Sequence, residues 1–226
     1  MLFLFVVVFN KRIMIVIGAK GFAKELLEDL VSDKYNYNKT NLFFFDNISK
    51  NVSEKLYDFK ILTSLSQVKE LYETESCFFT IGIGFPKNRK NMADLFEEIG
   101  GDLISIISEK ATVGSFNNII EKGVIIRSGV QITNDITIGK GSLINLNCTI
   151  GHDSIIGKFV ELSPNVNISG HCVIGDLTSI GSGSTILPNV KIGENCVIGA
   201  GSVITKDIPN NSIVVGVPGK IIKTNN

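Results

Sequence analysis

Residues 144–174 have the sequence INLNCTIGHDSIIGKFVELSPNVNISGHCVI, in which Ile or Leu recurs at every sixth position. The same spacing extends in both directions, from Ile120 to Ile204, and fifteen successive positions of the series hold Ile or Leu. Fourteen of these fifteen are Ile, which accounts for much of the high Ile content of the 226-residue chain. Self-similarity at a fixed short period is the signature of a repeat architecture.

The six-residue unit predicts a parallel β-helix. Each unit supplies one short strand and one turn, and three units close a triangular coil of about 18 residues. The Ile is expected to point inward and to stack on the next coil, since β-branched side chains suit a pleated, buried wall. A small or β-branched residue two positions earlier is expected to face inward too. Gly and Asn supply turn conformations that branched residues resist. The series predicts about five coils near residues 111–208.

Three of the four cysteines fall into this pattern. Cys148, Cys172 and Cys196 are spaced 24 residues apart, each at the small inward position. That spacing moves each one to a different face of the prism, so we interpret them as core residues and predict no metal cluster. Without a CxxC pair or a secretion signal, we expect reduced thiols and a cytoplasmic protein.

The composition restricts the class of partner. The chain has 22 Lys+Arg and 22 Asp+Glu, and this zero formal charge argues against binding to nucleic acid or anionic lipid. Hydrophobic residues make up 44% of the chain and charged residues 19%, which is ample for a core. No apolar run reaches the roughly 18 residues of a spanning helix, so we expect no stable membrane insertion.

The only continuous apolar block is LFLFVVVF, residues 2–9, and its basic residues follow it. A signal peptide has the opposite charge order. Because Met14 offers a second start, we interpret residues 1–13 as an N-terminal extension. An added sheet strand is the first alternative, and a membrane anchor is the second.

Strands and helices alternate over the first hundred residues. Apolar strands are predicted at residues 14–17, 42–45, 77–83 and 103–107, and helices at residues 22–31, 66–72 and 88–99. This alternation predicts a small parallel sheet, and ligands of such sheets bind outside the carboxyl ends of the strands. Those ends are residues 18–22, residues 46–47 and Gly84.

Two of these strand ends leave alternatives open. The loop Gly18–Gly21 is not a GxGxxG sequence, so we predict no dinucleotide cofactor. A glycine turn at a helix N-terminus can bind a phosphate or pyrophosphate, but a plain tight turn explains it equally well. Asp46 is consistent with binding a ribose or base edge and with capping a loop.

The chain has two histidines, and both lie in repeat turns. His152 is two residues after Ile150 and is followed by Asp153, whereas His171 is three residues after Ile168. A carboxylate beside an imidazole raises its proton affinity, which favours a general base at His152. An ordinary exposed turn residue is the alternative for both histidines.

Five segments, in order, resemble a known family: GAKGFAKELLEDL, FFFDN, IGIGFPKNRK, INLNCTIGHDSIIGKFVELSP and VIGAGSVITKDIPNNSIVVGVPGK. Over about residues 14–222 the chain resembles the left-handed β-helix (hexapeptide-repeat) acetyltransferases that act on nucleotide-linked amino sugars or on sialic acid. The resemblance implies an α/β N-terminal domain with a Rossmann-like small parallel sheet over residues 14–108. It implies an all-β C-terminal domain, a left-handed parallel β-helix, over residues 109–226. It also implies a homotrimer with active sites between adjacent subunits.

The resemblance carries three groups of site residues over to this chain. The catalytic group contains the base His152, its acidic neighbour Asp153 and the nearby Asn145. The acetyl-CoA-binding group contains Glu161, Gly170, Ser182 and Ala200. The nucleotide-sugar-binding group contains Lys20, Gly21, Phe22, Asp46, Asn47 and Gly84. Some relatives carry a second His where this chain has Glu161, and the family usually has Gly-His or Ser-Gly-His where Lys20-Gly21-Phe22 stands.

The implied activity is acetyl transfer from acetyl-CoA to the 4-amino group of a nucleotide-linked amino-deoxysugar, by direct transfer in a ternary complex and without a metal. Two alternatives stay open, namely O-acetylation of sialic acid or another sugar hydroxyl, and a non-catalytic nucleotide-sugar-binding scaffold. A γ-class carbonic anhydrase shares the β-helix but needs three His ligands on zinc, and this chain has two His.

Overall fold

A computed structural model describes residues 12–49 and 53–225. The apolar block at residues 2–9, and with it most of the extension predicted over residues 1–13, lies outside the described residues. The described chain forms two units, an α/β sheet followed by a β-helix, as predicted.

The first unit is a small, mostly parallel sheet. Its strands are β1 (Ile13–Ile17), β2 (Leu42–Phe45), β3 (Lys55–Leu56), β4 (Phe59–Leu62), β5 (Cys77–Ile81) and β6 (Asp102–Leu103). They lie in the order β3-β4-β2-β1-β5-β6, and only the β3–β4 pair is antiparallel. All five residues of β1 are apolar and buried, as expected for a central parallel strand covered on both faces.

Three helices cover the two faces of this sheet. They are α1 (Gly21–Leu30), α2 (Leu65–Thr74) and α3 (Pro86–Glu98), each within two residues of its predicted bounds. Leu26 and Leu30 of α1 pack between the sheet and the β-helix. Val68 of α2 and Phe96 of α3 cover the opposite face. One face of the sheet is therefore covered by α1, which separates it from face-1 residues of the β-helix, and the other face is covered by α2 and α3.

The second unit is a left-handed parallel β-helix with three faces. Face 1 contains β7 (Ile106–Ile107), β10 (Ile125–Ile126), β13 (Leu143–Ile144), β16 (Glu161–Leu162), β19 (Ser179–Ile180), β22 (Val197–Ile198) and the hairpin β24 (Ser212–Val215) and β25 (Lys220–Thr224). Face 2 contains β8 (Thr112–Val113), β11 (Gln131–Ile132), β14 (Thr149–Ile150), β17 (Asn167–Ile168), β20 (Thr185–Ile186) and β23 (Val203–Ile204). Face 3 contains β9 (Ile119–Ile120), β12 (Thr137–Ile138), β15 (Ile155–Ile156), β18 (Val173–Ile174) and β21 (Lys191–Ile192).

One predicted strand differs from the structure. The run from Leu103 to Ile107 is two strands, since Leu103 pairs with Phe79 in the first sheet and Ile106 pairs with Ile125 on face 1. The chain changes sheets between these two pairs, so Leu103 and Ile106, on the two sides of Ser105, belong to different cores. The domain boundary at residues 108 and 109 stays a prediction.

The core of the β-helix is the stack of inward isoleucines. Paired strands are one coil apart, as in Ile126 opposite Ile144 and Ile132 opposite Ile150. The predicted inward positions are buried except for the half-buried Ile120 at the start of the series, and the three repeat cysteines are buried as well. Cys148, Cys172 and Cys196 directly precede strands on faces 2, 3 and 1, which confirms their interpretation as separate core residues.

The turns use two different positions for two different purposes. From Ile120 to Ile198, a left-handed backbone falls on the third residue after each Ile or Leu of the series, for example Asn147 (φ 57°) and Asn165 (φ 62°). The glycines that directly follow the Ile have another role. A Cβ at Gly139 would lie 2.6 Å from the backbone carbonyl carbon of Gly157, so glycine there lets successive coils approach each other.

Face 1 of the β-helix packs against the first unit. Ile125 and Leu143 belong to the same buried cluster as α1. Arg89 of α3 is fully buried at this junction and donates to the carbonyl oxygens of Gly141, Ile81 and Ile83 at 2.7–3.0 Å. Burial lowers the pKa of Arg89 to about 10, partly opposed by the nearby negative charge of Glu161.

This packing determines which edge of the β-helix the first unit leaves uncovered. The edge where faces 2 and 3 meet lies opposite face 1, on the side away from the first unit. Among residues 12–49 and 53–225, every helix is too short or too polar to traverse a lipid bilayer.

Candidate active site

A cavity of about 300 Å³ opens at the carboxyl ends of β1, β2 and β5. All six residues predicted to bind a nucleotide sugar line it, namely Lys20, Gly21, Phe22, Asp46, Asn47 and Gly84. Met92 of α3 lines it as well. Sequence reasoning missed Met92, because no local pattern indicates which residue of a helix reaches a neighbouring strand end.

One wall of the cavity is the N-terminus of α1. No side chain caps this helix end, where Lys20 is the N-cap residue. Gly18 has φ +105°, and a Cβ there would lie 2.8 Å from the carbonyl oxygen of Gly82, so the loop requires glycine to reach β5. Uncapped N–H groups at a helix N-terminus attract an anionic group such as a phosphate.

Asp46 forms the opposite wall and caps its own loop. Its Oδ1 accepts from the N–H groups of Ile48 (3.1 Å) and Ser49 (2.9 Å), and its Oδ2 accepts from the Ser49 hydroxyl (2.7 Å). Partial burial alone would raise the pKa of Asp46, but these hydrogen bonds and the charge of Lys20 lower it below its usual value. Asp46 therefore caps its loop in the structure, which was one of the two roles considered for it.

Glu161 lies where the cavity meets the β-helix. It projects outward from face 1, and a Cβ on Gly84 would lie 3.2 Å from its Oε1. The Ser179 hydroxyl donates to Oε2 at 3.3 Å. Burial raises the pKa of Glu161, although the charge of Arg89 and the Ser179 hydrogen bond act in the opposite direction. Glu161 therefore places a half-buried carboxyl group at the end of the cavity.

His152 and Asp153 occupy a turn on the edge between faces 2 and 3. Nδ1 of His152 lies 2.7 Å from Oδ2 of Asp153. Because a carboxylate only accepts, Nδ1 carries the proton and Nε2 has a free lone pair. Both side chains are exposed to solvent. An imidazole held in this way by a carboxylate has the arrangement of a general base and its orienting group.

The imidazole of His152 packs over Gly170 of the next coil. A Cβ at Gly170 would lie 2.8 Å from Nε2. The backbone N–H of Gly170 donates to no partner within the described ranges. The residue over which the His152 ring packs therefore carries a backbone N–H that is available as a hydrogen-bond donor.

His171 completes a cluster that the sequence analysis did not single out. It follows Asp153 by one coil, and its Nε2 lies 3.8 Å from Oδ2 of Asp153. Its ring stands perpendicular to that of His152, with centroids 5.0 Å apart. The 18-residue spacing from Asp153 was the signal that would have identified it, since residues one coil apart stack.

The remaining predicted residues lie on a different edge, between faces 1 and 2. Asn145 is there, and its Oδ1 accepts from the N–H of Leu146 at 2.8 Å. Ser182 and Ala200 stack on that edge in adjacent coils, next to the bond from the N–H of Gly201 to the carbonyl of Ser182. Within one chain, Asn145, Ser182 and Ala200 are therefore separated from His152 and Gly170.

Two family models match the chain, one on each unit. The PglD N-terminal domain matches residues 13–96, and the bacterial transferase hexapeptide (six repeats) matches residues 171–206. The acetyltransferase domain of PglB from Neisseria gonorrhoeae has the same two-unit fold. Its TM-score is 0.81 at 26% identity, covering 94% of this chain and 100% of that chain. In both units the chain therefore resembles the hexapeptide-repeat acetyltransferases.

Other solved structures resemble this chain over nearly its whole length. A histidine-to-asparagine mutant of perosamine N-acetyltransferase from Caulobacter crescentus, in complex with CoA and GDP-perosamine, has a TM-score of 0.85. Its identity is 24%, over 93% of this chain and 97% of that chain. WeeI from Acinetobacter baumannii AYE has a TM-score of 0.78 at 25% identity, over 93% and 100% of the two chains. A comparison with curated protein sequences found no match.

Proposed function

We propose that this protein is an acetyltransferase, which moves the acetyl group of acetyl-CoA to the 4-amino group of a nucleotide-linked amino-deoxysugar. The observation that carries the proposal is the 2.7 Å contact between His152 and Asp153 above Gly170. Support for the donor comes from the PglB acetyltransferase domain, which has also been solved in complex with acetyl-CoA. Support for the acceptor comes from perosamine N-acetyltransferase, which was solved with GDP-perosamine.

The proposed reaction is a direct transfer in a ternary complex. The neutral amine attacks the thioester carbonyl, a C–N bond forms and the C–S bond breaks. Nε2 of His152 takes the amine proton and returns it to the departing CoA thiolate. Asp153 stabilises the imidazolium, and the N–H of Gly170 donates to the developing oxyanion. General-base assistance of this kind contributes about 10²–10⁴-fold to the rate.

The acceptor is proposed to bind in the cavity of the first unit. The uncapped N-terminus of α1 would hold the diphosphate through the N–H groups that follow Lys20. The opposite end of the cavity, at Gly84, faces the carboxyl group of Glu161. A sugar extending in that direction meets a hydrogen-bond acceptor, and we assign Glu161 to binding at the reacting end.

We further propose that the active site forms between subunits of a homotrimer. The cavity lies on the face 1 side of the prism, whereas His152 lies on the opposite edge. A second copy whose face 1 side meets this edge would unite the cavity with His152. The same arrangement would also bring Asn145, Ser182 and Ala200 of the second copy close to His152. The exposed apolar residues around that edge, Phe116, Ile119, Ile155 and Leu187, are suited to such an interface.

The test is CoA release from acetyl-CoA with a panel of 4-amino nucleotide sugars, sialic acid and hydroxyl-only sugars. We expect release with an amino sugar and a loss of at least about a hundredfold in His152→Ala. Light scattering should show a trimer for both proteins. Full activity of His152→Ala would remove His152 from the mechanism. Release with hydroxyl acceptors alone would indicate an O-acetyltransferase, and nucleotide-sugar binding without any release would indicate a scaffold.

A further inference from the structure

We propose that His152, Asp153 and His171 form a zinc-binding site that, when occupied, inhibits acetyl transfer. The donor atoms of these three side chains all lie within 4.8 Å of one another. Zinc binding follows from these residues alone, whereas the inhibition rests on the proposed role of His152 as the base.

The backbone holds the three donors in fixed positions. Asp153 and His171 occupy the same turn position in successive coils, both with φ 58°. The N–H of His171 donates to the carbonyl oxygen of His152 at 2.9 Å, which ties the two turns together. The repeat therefore supplies two imidazoles and a carboxylate on one rigid edge.

The distances are close to those of a zinc site. Zn–N and Zn–O bonds of about 2.0–2.2 Å in a tetrahedral arrangement separate neighbouring donors by roughly 3.4 Å. Oδ2 of Asp153 lies 3.8 Å from Nε2 of His171, so these two need to approach by only a few tenths of an ångström. Nδ1 of His152 lies 2.7 Å from the same oxygen and must move away by about 0.7 Å. Rotation of exposed side chains is sufficient for both adjustments.

The donor set also suits zinc chemically. Two histidines with one carboxylate are a ligand set of open zinc sites, in which a fourth position holds water. All three side chains are 46–61% exposed in a single protomer, and in the proposed trimer the opening that admits the substrates would admit an ion as well. Gly170 has no side chain to limit movement of the His152 ring, which lies directly above it.

Inhibition follows from the tautomer of His152. In the metal-free pair, Nδ1 carries the proton and Nε2 is free to accept one. A neutral imidazole that coordinates zinc through Nδ1 carries its single proton on Nε2 instead. The nitrogen required to take the amine proton is then already protonated. Zinc therefore needs no contact with either substrate to stop the reaction.

Direct binding is the primary test. ZnCl₂ is titrated calorimetrically into the metal-free full-length protein without substrates, and Co²⁺ is used as a visible-absorption probe of the coordination. We expect one ion per chain in the wild type, and His171→Asn should weaken binding at least about tenfold. Asn suits that turn because Asn189 occupies the same position one coil further with φ 65°. Asp135→Asn is the matched control, since Asp135 is the equivalent carboxylate one coil earlier and should leave zinc affinity unchanged.

The inhibition is measured separately, as CoA release at increasing ZnCl₂ and after addition of EDTA. Zinc should abolish wild-type release, EDTA should restore it, and His171→Asn should require at least about tenfold more zinc for the same loss. No saturable binding of ZnCl₂, or equal affinity in wild type and His171→Asn, would overturn the site. These calorimetric outcomes do not depend on turnover, so they are distinguishable from a failure of the proposed acetyl transfer.

Discussion

The imidazole of His152 lies directly over Gly170, one coil further along the β-helix. A Cβ placed on Gly170 would be 2.8 Å from both Cε1 and Nε2 of that ring. The obstacle is a flexible side chain, and Ala200 already occupies the same repeat position. Glycine at 170 is therefore needed by the ring above it rather than by the backbone of the turn.

Gly170→Ala should displace the His152 ring and lower kcat for acetyl transfer at least about tenfold, which corresponds to about 1.4 kcal/mol. The melting temperature should stay within a few degrees of the wild type. Steady-state kinetics and a thermal melt measure both. In a His152→Ala background the same substitution should have no further effect on kcat, because its effect passes through the ring. Additive losses in the double variant would contradict this explanation.

Gly139→Ala, in contrast to Gly170→Ala, should lower the stability of the fold. Its Cβ would lie 2.6 Å from the backbone carbon of Gly157, and two coils would have to separate to admit it. Overpacking of a rigid core costs about 1–3 kcal/mol. The midpoint of chemical denaturation should fall clearly in Gly139→Ala and hardly at all in Gly170→Ala. Equal midpoints would show that the coils adjust more easily than the close contact indicates.

Asp153→Asn isolates the charge on the group that orients His152. Asn tolerates the left-handed backbone at this position, as it does at Asn147 and Asn165, so the fold should be retained. A charge-assisted hydrogen bond contributes about 1.5–3 kcal/mol, so kcat should fall by roughly tenfold to a hundredfold. Asp135→Asn, one coil earlier, is the control and should keep wild-type kcat. An unchanged kcat in Asp153→Asn would show that the 2.7 Å contact does not assist the base.

Glu161→Gln should change the pH dependence of stability. Burial raises the pKa of Glu161 in the folded protein above its usual 4.5, even with Arg89 nearby. The folded protein then binds the Glu161 proton more tightly than the unfolded chain does. Protonation of Glu161 therefore stabilises the fold below pH 4.5, and this stabilisation is lost as the pH rises through the pKa of Glu161 in the folded protein. Glutamine does not titrate. The melting temperature of the variant relative to wild type should therefore increase from pH 4.5 to pH 7, and a difference independent of pH would contradict the assignment.

Cys148 should resist thiol reagents in the native protein. Burial raises its pKa to about 11, so at pH 8 the thiol is protonated as well as inaccessible. Labelling with Ellman's reagent followed by peptide mapping should modify Cys148 only after denaturation. Rapid modification of Cys148 in the folded protein would show that the coils open locally.

Much of the fold was predictable because its main signals are local. A six-residue period places each Ile on the inner wall, and three such units close a coil, so pairing partners follow from counting. The residues that line the cavity could also be predicted, because loops after parallel strands gather at one edge of a sheet. The division of the run from Leu103 to Ile107 into two strands could not be predicted, since both halves are equally apolar and only pairing with Phe79 or Ile125 separates them.

The sequence by itself determined the β-helix, its buried cysteines, the α/β unit and the adjacency of His152 to Asp153. Each of these depends on periodicity or on neighbours along the chain. Only the tertiary structure decided that His171 joins this pair, that Arg89 is buried against Gly141, and that the cavity and His152 lie on opposite sides of one prism. The position of His171 depends on the stacking of successive coils, whereas the other two relationships depend on which outer face of the β-helix the first unit covers. That choice is made by the packing of Ile125 and Leu143 against α1, a contact between segments about one hundred residues apart.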